Sequence, residues 1–159
     1  MKTKYTWIIL IVIVGLGLIA VLMFTPTPPS GDPVTLLGTS VPPLPTPNPE
    51  LVAQGKSLYS QNCASCHGAN LEGKLDWKRI QEDGSYLPPP HDGSGHTWHH
   101  PDELLLNITA NGGDMPESKM PAFGEVLTEQ DMRAVLEFIK SNWGQQEREY
   151  QWWITVTSK

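Results

Sequence analysis

Residues 63–67 read Cys63-Ala64-Ser65-Cys66-His67. Thiols three positions apart sit on one side of a single helical turn, with the next residue's imidazole beside them. These are the only two cysteines in the 159 residues, and so close a pair is not a disulfide framework. Three chemistries use such a pair. A thioredoxin-like dithiol needs a βαβ setting, and no strand pattern precedes the motif. A zinc site would have to recruit two of His91, His96, His99 and His100. The third is covalent attachment of haem c, whose signature is C-x-x-C-H. Cys63 and Cys66 form thioethers to the two vinyl groups on one porphyrin edge, and His67 falls under the iron. The third reading accounts for Cys63, Cys66 and the adjoining His67 together and is the one adopted.

Upstream, Asn48 is a good N-cap and Pro49 a good first helical residue. Leu51, Val52, Gly55, Leu58 and Tyr59 then recur at helical spacing. A glycine in that apolar stripe predicts a second helix crossing at close range. Downstream, residues 68–100 are rich in Gly, Pro, Asp and aromatics, and LPPPHDGSGH cannot be helical. So long a loop in a small domain calls for a ligand to wrap. A second helix starts at Pro101 and Asp102, runs through Leu104, Leu105 and Ile108, and stops at Gly112 and Gly113. Thr128 and Asp131 form a capping box. Behind it Met132, Val135, Leu136, Ile139 and Trp143 mark a third amphipathic helix, expected to end at Gly144. The folded domain is thus expected over 50–143. The tail at 144–159 is ambiguous. WWITVT has strand propensity without an evident partner, and Trp152 and Trp153 are expected to pack back on the domain or to form a docking patch.

The start of the chain is different in kind. Residues 7–24, WIILIVIVGLGLIAVLMF, carry no charge and no proline. Eighteen helical residues rise roughly 27 Å, enough to cross a hydrocarbon core. Lys2 and Lys4 precede the run, and no basic residue follows until Lys56. The positive-inside rule then places the N-terminus in the cytoplasm and the rest outside. Phe-Thr-Pro-Thr-Pro after Met23 is a poor cleavage site, so residues 1–24 are expected to be an uncleaved signal anchor and single transmembrane helix. Residues 25–49 hold nine prolines and are expected to be a linker without helix or sheet, reaching roughly 75 Å if fully extended.

The formal net charge is −6, and beyond the apolar run there are 9 basic and 17 acidic residues. That balance argues against nucleic acid and favours basic or dipolar protein surfaces as partners. The iron of such a group needs a sixth donor. Candidates are Met115, Met120, Met132 and the four later histidines. Met132 lies on the apolar face of the last helix and is expected in the core. Met115 and Met120 are both followed by proline in a loop, so the motif alone does not choose. Met120 is nearer the closing helix and is favoured, with Met115 second. Two protein ligands leave no open iron position and therefore no small-molecule substrate. His67 needs an acceptor for its other ring nitrogen, and the carbonyls of residues 87–90 are the candidates. Trp98 and some of His91, His96, His99 and His100 are expected along the haem edge, bonding its carboxylates.

Gly55-x-x-Leu58-Tyr59-x-x-x-Cys63-Ala64-Ser65-Cys66-His67-Gly68, Met120-Pro121-Ala122-Phe123 and the helix at 127–143 together resemble the class I cytochrome c family. The stretch PPPHDGSGHTWHHPD at 88–102 is similar to membrane-anchored bacterial members. The resemblance implies a small all-α fold around one covalent haem, its terminal helices crossing near Gly55 and Leu136, with a third helix over one side of the haem. By that likeness Cys63 and Cys66 attach the haem, His67 is proximal and Met120 distal. The longer insertion at 68–87 and the Trp-rich tail depart from the smallest members. The reading that follows is a mono-haem electron carrier rather than an enzyme. It is tethered to the cell membrane on the extracytoplasmic side and passes single electrons between redox proteins. The alternative is a fixed haem c subunit of an oxidase or dehydrogenase complex.

Overall fold

The computed structural model describes residues 31–113, 115 and 117–158. It is mostly helical. The expected membrane segment at 7–24 lies outside the described residues, among which no helix is long and apolar enough to cross a membrane.

Helix α1 is Pro49–Asn62. The Asn48 side chain accepts from the backbone N–H groups of Glu50 (2.9 Å) and Leu51 (3.3 Å), satisfying two of the helix's free donors. A single turn, α2 at Ala64–His67, follows directly. The chain then runs as loop with one 3₁₀ turn at Thr97–His99 until α3, Asp102–Asn111, and α4, Glu129–Ser141. The capping box forms in full: Asp131 N donates to Thr128 Oγ1 and Thr128 N to the Asp131 carboxylate, 3.1 Å each. Helix α4 buries Met132, Ala134, Val135, Leu136, Phe138 and Ile139.

Helices α1 and α4 cross at Gly55. A Cβ there would run into the Ala134 carbonyl and come within 2.9 Å of the Phe138 Cβ. The expected close crossing is present, centred on Ala134 and Phe138, which flank Leu136. Next to it lies the main core of Tyr59, Leu71, Val135, Phe138, Ile139 and Trp143. Burying such side chains contributes about 1.5–3 kcal/mol each.

The ends of the chain correct three expectations. First, the proline-rich stretch does form sheet. Strands β1, Pro33–Leu36, and β2, Thr39–Pro43, pair antiparallel with Val34 opposite Val41. The prolines stand towards the outer end of the ladder, and of the paired residues inside it Val34, Thr35, Thr39 and Val41 are β-branched. Leu37 and Gly38 make the two-residue turn at φ of 50° and 78°, the primed geometry that matches strand twist. The fold is therefore helical with one added hairpin rather than purely helical. Second, the third amphipathic helix stops at Ser141, and Gly144 instead caps the start of a further helix, α5, Gln145–Thr157. Third, the strand-like WWITVT lies within α5. Its tryptophans bond to the hairpin rather than to the domain at 50–143: Trp152 Nε1 donates to Pro42 O (2.8 Å) and Trp153 Nε1 to Thr39 O (3.0 Å). Arg148 adds a bond to Pro45 O at 3.0 Å. These contacts join segments more than 100 positions apart, so tertiary packing overrides local propensity.

Asp102, the first residue of α3, is a junction that sequence reasoning missed. Its carboxylate takes the Lys140 ammonium at 2.6 Å and accepts from Gln151 Nε2 (2.5 Å) and Thr155 Oγ1 (3.3 Å). Its backbone N–H donates to Thr155 Oγ1 at 3.1 Å. One side chain thus ties α3, α4 and α5. Asp102→Ala should leave Lys140 and the fully buried Gln151 short of a partner. The expected cost is about 2 kcal/mol in chemical denaturation, against about 1 kcal/mol for Thr128→Ala at the cap.

Candidate haem site

The turn α2 exists because α1 ends at Asn62 and Cys63 restarts the helix. Backbone bonds from His67 N to Cys63 O and from Gly68 N to Ala64 O, both 2.9 Å, hold the motif as one turn. Cys63 is half-buried and Cys66 exposed, both as free thiols, and His67 is buried. Burial, with the neighbouring Cys66, pushes the Cys63 thiol up to about 11. A redox dithiol needs the opposite shift, so the surroundings disfavour that reading of the pair.

His67 Nδ1 lies 2.9 Å from Pro89 O, inside the expected 87–90 run. Donation to a carbonyl makes Nδ1 the protonated nitrogen and leaves the Nε2 lone pair for a metal. Burial holds the His67 imidazole below its ordinary range, opposed by this bond, and so in the neutral form that ligates. The Pro89–Pro90 backbone is braced from two sides. A Cβ on Gly73 would lie 2.6 Å from Pro89 C, and one on Gly95 would strike Pro90 O. Lys74 N also donates to Pro88 O at 2.9 Å. Neither glycine stood out in the sequence, because their role depends on loop packing.

The four later histidines take different partners, although the His96 and His100 rings meet edge-on with centroids 5.3 Å apart. His91 stacks on His67, ring centroids 4.0 Å apart and planes 19° apart. His96 stacks on Trp77 at 5.0 Å and 7°. His99 packs with Trp98 and Tyr150. Among the described residues no group of three or more His, Cys, Asp or Glu is arranged to hold a metal ion.

Of the methionines, Met132 is in the core as expected, Met115 is 51% exposed, and Met120 is half-buried. The Met120 loop is fastened to the C-terminal end of α3. Gly113 N donates to Met120 O (3.3 Å), Phe123 N to Thr109 O (3.0 Å) and Gly124 N to Ala110 O (2.9 Å). Lys119 reaches Asp83 at 2.7 Å and holds the loop to the 68–87 insertion. With the Ser85 bonds, that ammonium keeps the Asp83 carboxyl well below the usual range.

The surroundings suit a flat apolar ligand with acidic arms. Helix α3 has no fully buried residue, so Leu104, Leu105, Leu106 and Ile108 are only partly covered by protein. Nδ1 of His91, Nδ1 of His96 and Nε1 of Trp98 are buried ring nitrogens with no hydrogen-bond partner among the described residues. Such nitrogens are costly without an acceptor, and porphyrin carboxylates are acceptors. Surface hollows along 144–149 and between α5 and the hairpin are lined by none of Cys63, Cys66, His67 or Met120.

Residues 50–139 match the family model described as cytochrome c oxidase, cbb3-type, subunit III. The chain belongs to this family of class I c-type cytochromes. The cofactor of this cytochrome is therefore covalently bound haem c. It is similar to the gluconate 2-dehydrogenase cytochrome c subunit of Pantoea cypripedii, 30% identical over 115 residues, covering 66% of this chain and 22% of the relative. It is also similar to the cbb3-type cytochrome c oxidase subunits FixP of Sinorhizobium medicae (strain WSM419) and Azorhizobium caulinodans. The first is 29% identical over 103 residues, the second 28% over 99, each covering 59% of this cytochrome. The matches cover 32% and 31% of those relatives, so this cytochrome spans a third or less of the relatives' length. No solved structure matches it.

Proposed function

We propose that this c-type cytochrome is a mono-haem electron carrier in which Cys63 and Cys66 bear the thioethers, His67 is the proximal ligand and Met120 the distal one. The bound haem supplies one-electron Fe(III)/Fe(II) cycling. The observation that carries the assignment is the bond between His67 Nδ1 and Pro89 O, beside two thiols on the same turn. It sets the tautomer that leaves the Nε2 lone pair free, so that His67 would be oriented to hold the iron of a bound haem. Met120 is preferred over Met115 because it is half-buried on a loop bonded at several points, whereas Met115 lies exposed. A ring and a thioether as axial donors leave no position for a substrate, which suits a carrier rather than a catalyst.

The apolar run at 7–24 with Lys2 and Lys4 before it supports a single-pass membrane anchor with the haem domain extracytoplasmic. The partners are then redox proteins of that membrane. A second reading, a fixed haem subunit of an oxidase or dehydrogenase complex, has its own support. The relatives' names describe subunits. The hairpin also begins at Pro33, with eight positions between it and the end of the apolar run at Phe24, a separation of roughly 25 Å at most for a chain of that length. That is short for a shuttle. Purification of the full chain from its membrane in mild detergent separates the two: a stoichiometric partner supports the fixed subunit, a lone cytochrome the carrier.

Absorption spectra test the ligands. The full chain, matured in a host with haem-attachment machinery, should show the methionine-to-ferric charge-transfer band when oxidised. Met120→Ala should abolish the band, lower the reduction potential and open the iron to carbon monoxide, while Met115→Ala should leave all three unchanged. Loss of the band in Met115→Ala alone would reassign the distal ligand.

A further inference from the structure

We propose that His91 is a positioning residue for the proximal ligand, its ring setting the plane of the His67 imidazole by stacking. The inference rests on the reading of His67 as an iron ligand. The bond from His67 Nδ1 to Pro89 O fixes one nitrogen, but a single hydrogen bond leaves the ring free to tilt about its own direction. Among the described residues the ring stacked on His67 is that of His91, at 4.0 Å and 19°.

His91 is itself immobilised. Its backbone N–H donates to Leu71 O and its carbonyl accepts from Trp143 Nε1, each at 2.8 Å. Leu71 and Trp143 belong to the main core. The His91 ring also meets Tyr59 edge-on, with centroids 6.0 Å apart and planes at 67°. Tyr59 is fully buried and packs on Phe138 at the helix crossing. The imidazole plane is thereby referred to the α1–α4 core through one intermediate ring. Parallel aromatic faces resist tilting more than an aliphatic contact of equal volume does. The plane of an axial imidazole governs its π overlap with the iron, and through it the electronic ground state and the potential.

The test uses the full chain with covalent haem. Its readouts are the order and spread of the hyperfine-shifted haem methyl resonances of the ferric protein, and the reduction potential. His91→Phe keeps the stack and removes the nitrogens; His91→Leu removes the stack. His91→Phe should keep the order of the methyl shifts, with the loss of Nδ1 as a donor or acceptor showing in the potential alone. His91→Leu should reorder or compress them and shift the potential. His91→Met, a second aliphatic replacement, supplies the comparison if the leucine variant does not accumulate. Aliphatic variants that retain the wild-type shift order overturn the proposal, as does a phenylalanine variant altered as much as the aliphatic ones. A wild-type protein without histidine-ligated low-spin iron overturns it together with the His67 assignment. Normal wild-type spectra with unresponsive variants overturn the stack alone.

Discussion

Cys63→Ser/Cys66→Ser should yield a chain with no covalent haem and with most of its helical signal lost, even in a host that attaches haem to the wild type. Serine changes little in volume or helix preference, so the loss would report the missing thioethers. The physical reason is the size of the core. One cluster of six buried residues serves the α1–α4 crossing, while α3 has no fully buried residue. A domain of this length buries roughly two-thirds of its chain surface and is marginal when one helix lacks cover. Two thioethers also remove chain entropy by holding the turn against the group it wraps. The check is far-UV circular dichroism with thermal melting, alongside a haem-stain gel. A double variant that melted as cooperatively as the wild type would show that the protein core suffices.

Gly55→Ala should destabilise the protein, and Gly55→Val should do so by about 3 kcal/mol or more, lowering the melting temperature by about 15 °C. The sign for alanine is diagnostic. In an ordinary helix interior Gly→Ala stabilises by about 1 kcal/mol. Here the new methyl meets the Ala134 carbonyl, a backbone atom that moves only if α4 moves, and the Phe138 Cβ at 2.9 Å lies behind it. Separating the helices would also loosen Tyr59 against Phe138, whose rings pack 5.4 Å apart. The measurement is a thermal and chemical melt of both variants with haem attached. Higher stability in Gly55→Ala would contradict the close approach.

Features that depend on a few neighbouring residues were legible in the chain. The Asn48 cap, the Thr128–Asp131 box and the start of α3 at Asp102 all form where their side chains predict. The carbonyl for His67 was legible as a short run, because three consecutive prolines at 88–90 exclude a helix and keep their carbonyls out of a helical ladder. Other features were not legible. The hairpin at 33–43 sits in a stretch whose composition argues against any sheet, and α5 contains a strand-like run. Each is stabilised by the other through Trp152 and Trp153, and no local window contains both. The histidines illustrate the same limit. Four of them within ten positions resemble a cluster, yet His91 turns to His67 and His96 to Trp77.

The sequence by itself determined the chemistry. Two thiols and an imidazole on one turn specify haem c attachment, since bond lengths within a five-residue motif are settled by the backbone alone. It also determined the helix starts and the glycine at the crossing. The tertiary structure alone decided how the ends of the chain close on each other, which carbonyl takes the His67 proton, and which ring lies against that imidazole. Those outcomes join residues from 22 to more than 100 positions apart. Contacts at such separation are selected by packing of the whole domain, because the entropy of closing long loops is offset only when many of them form together.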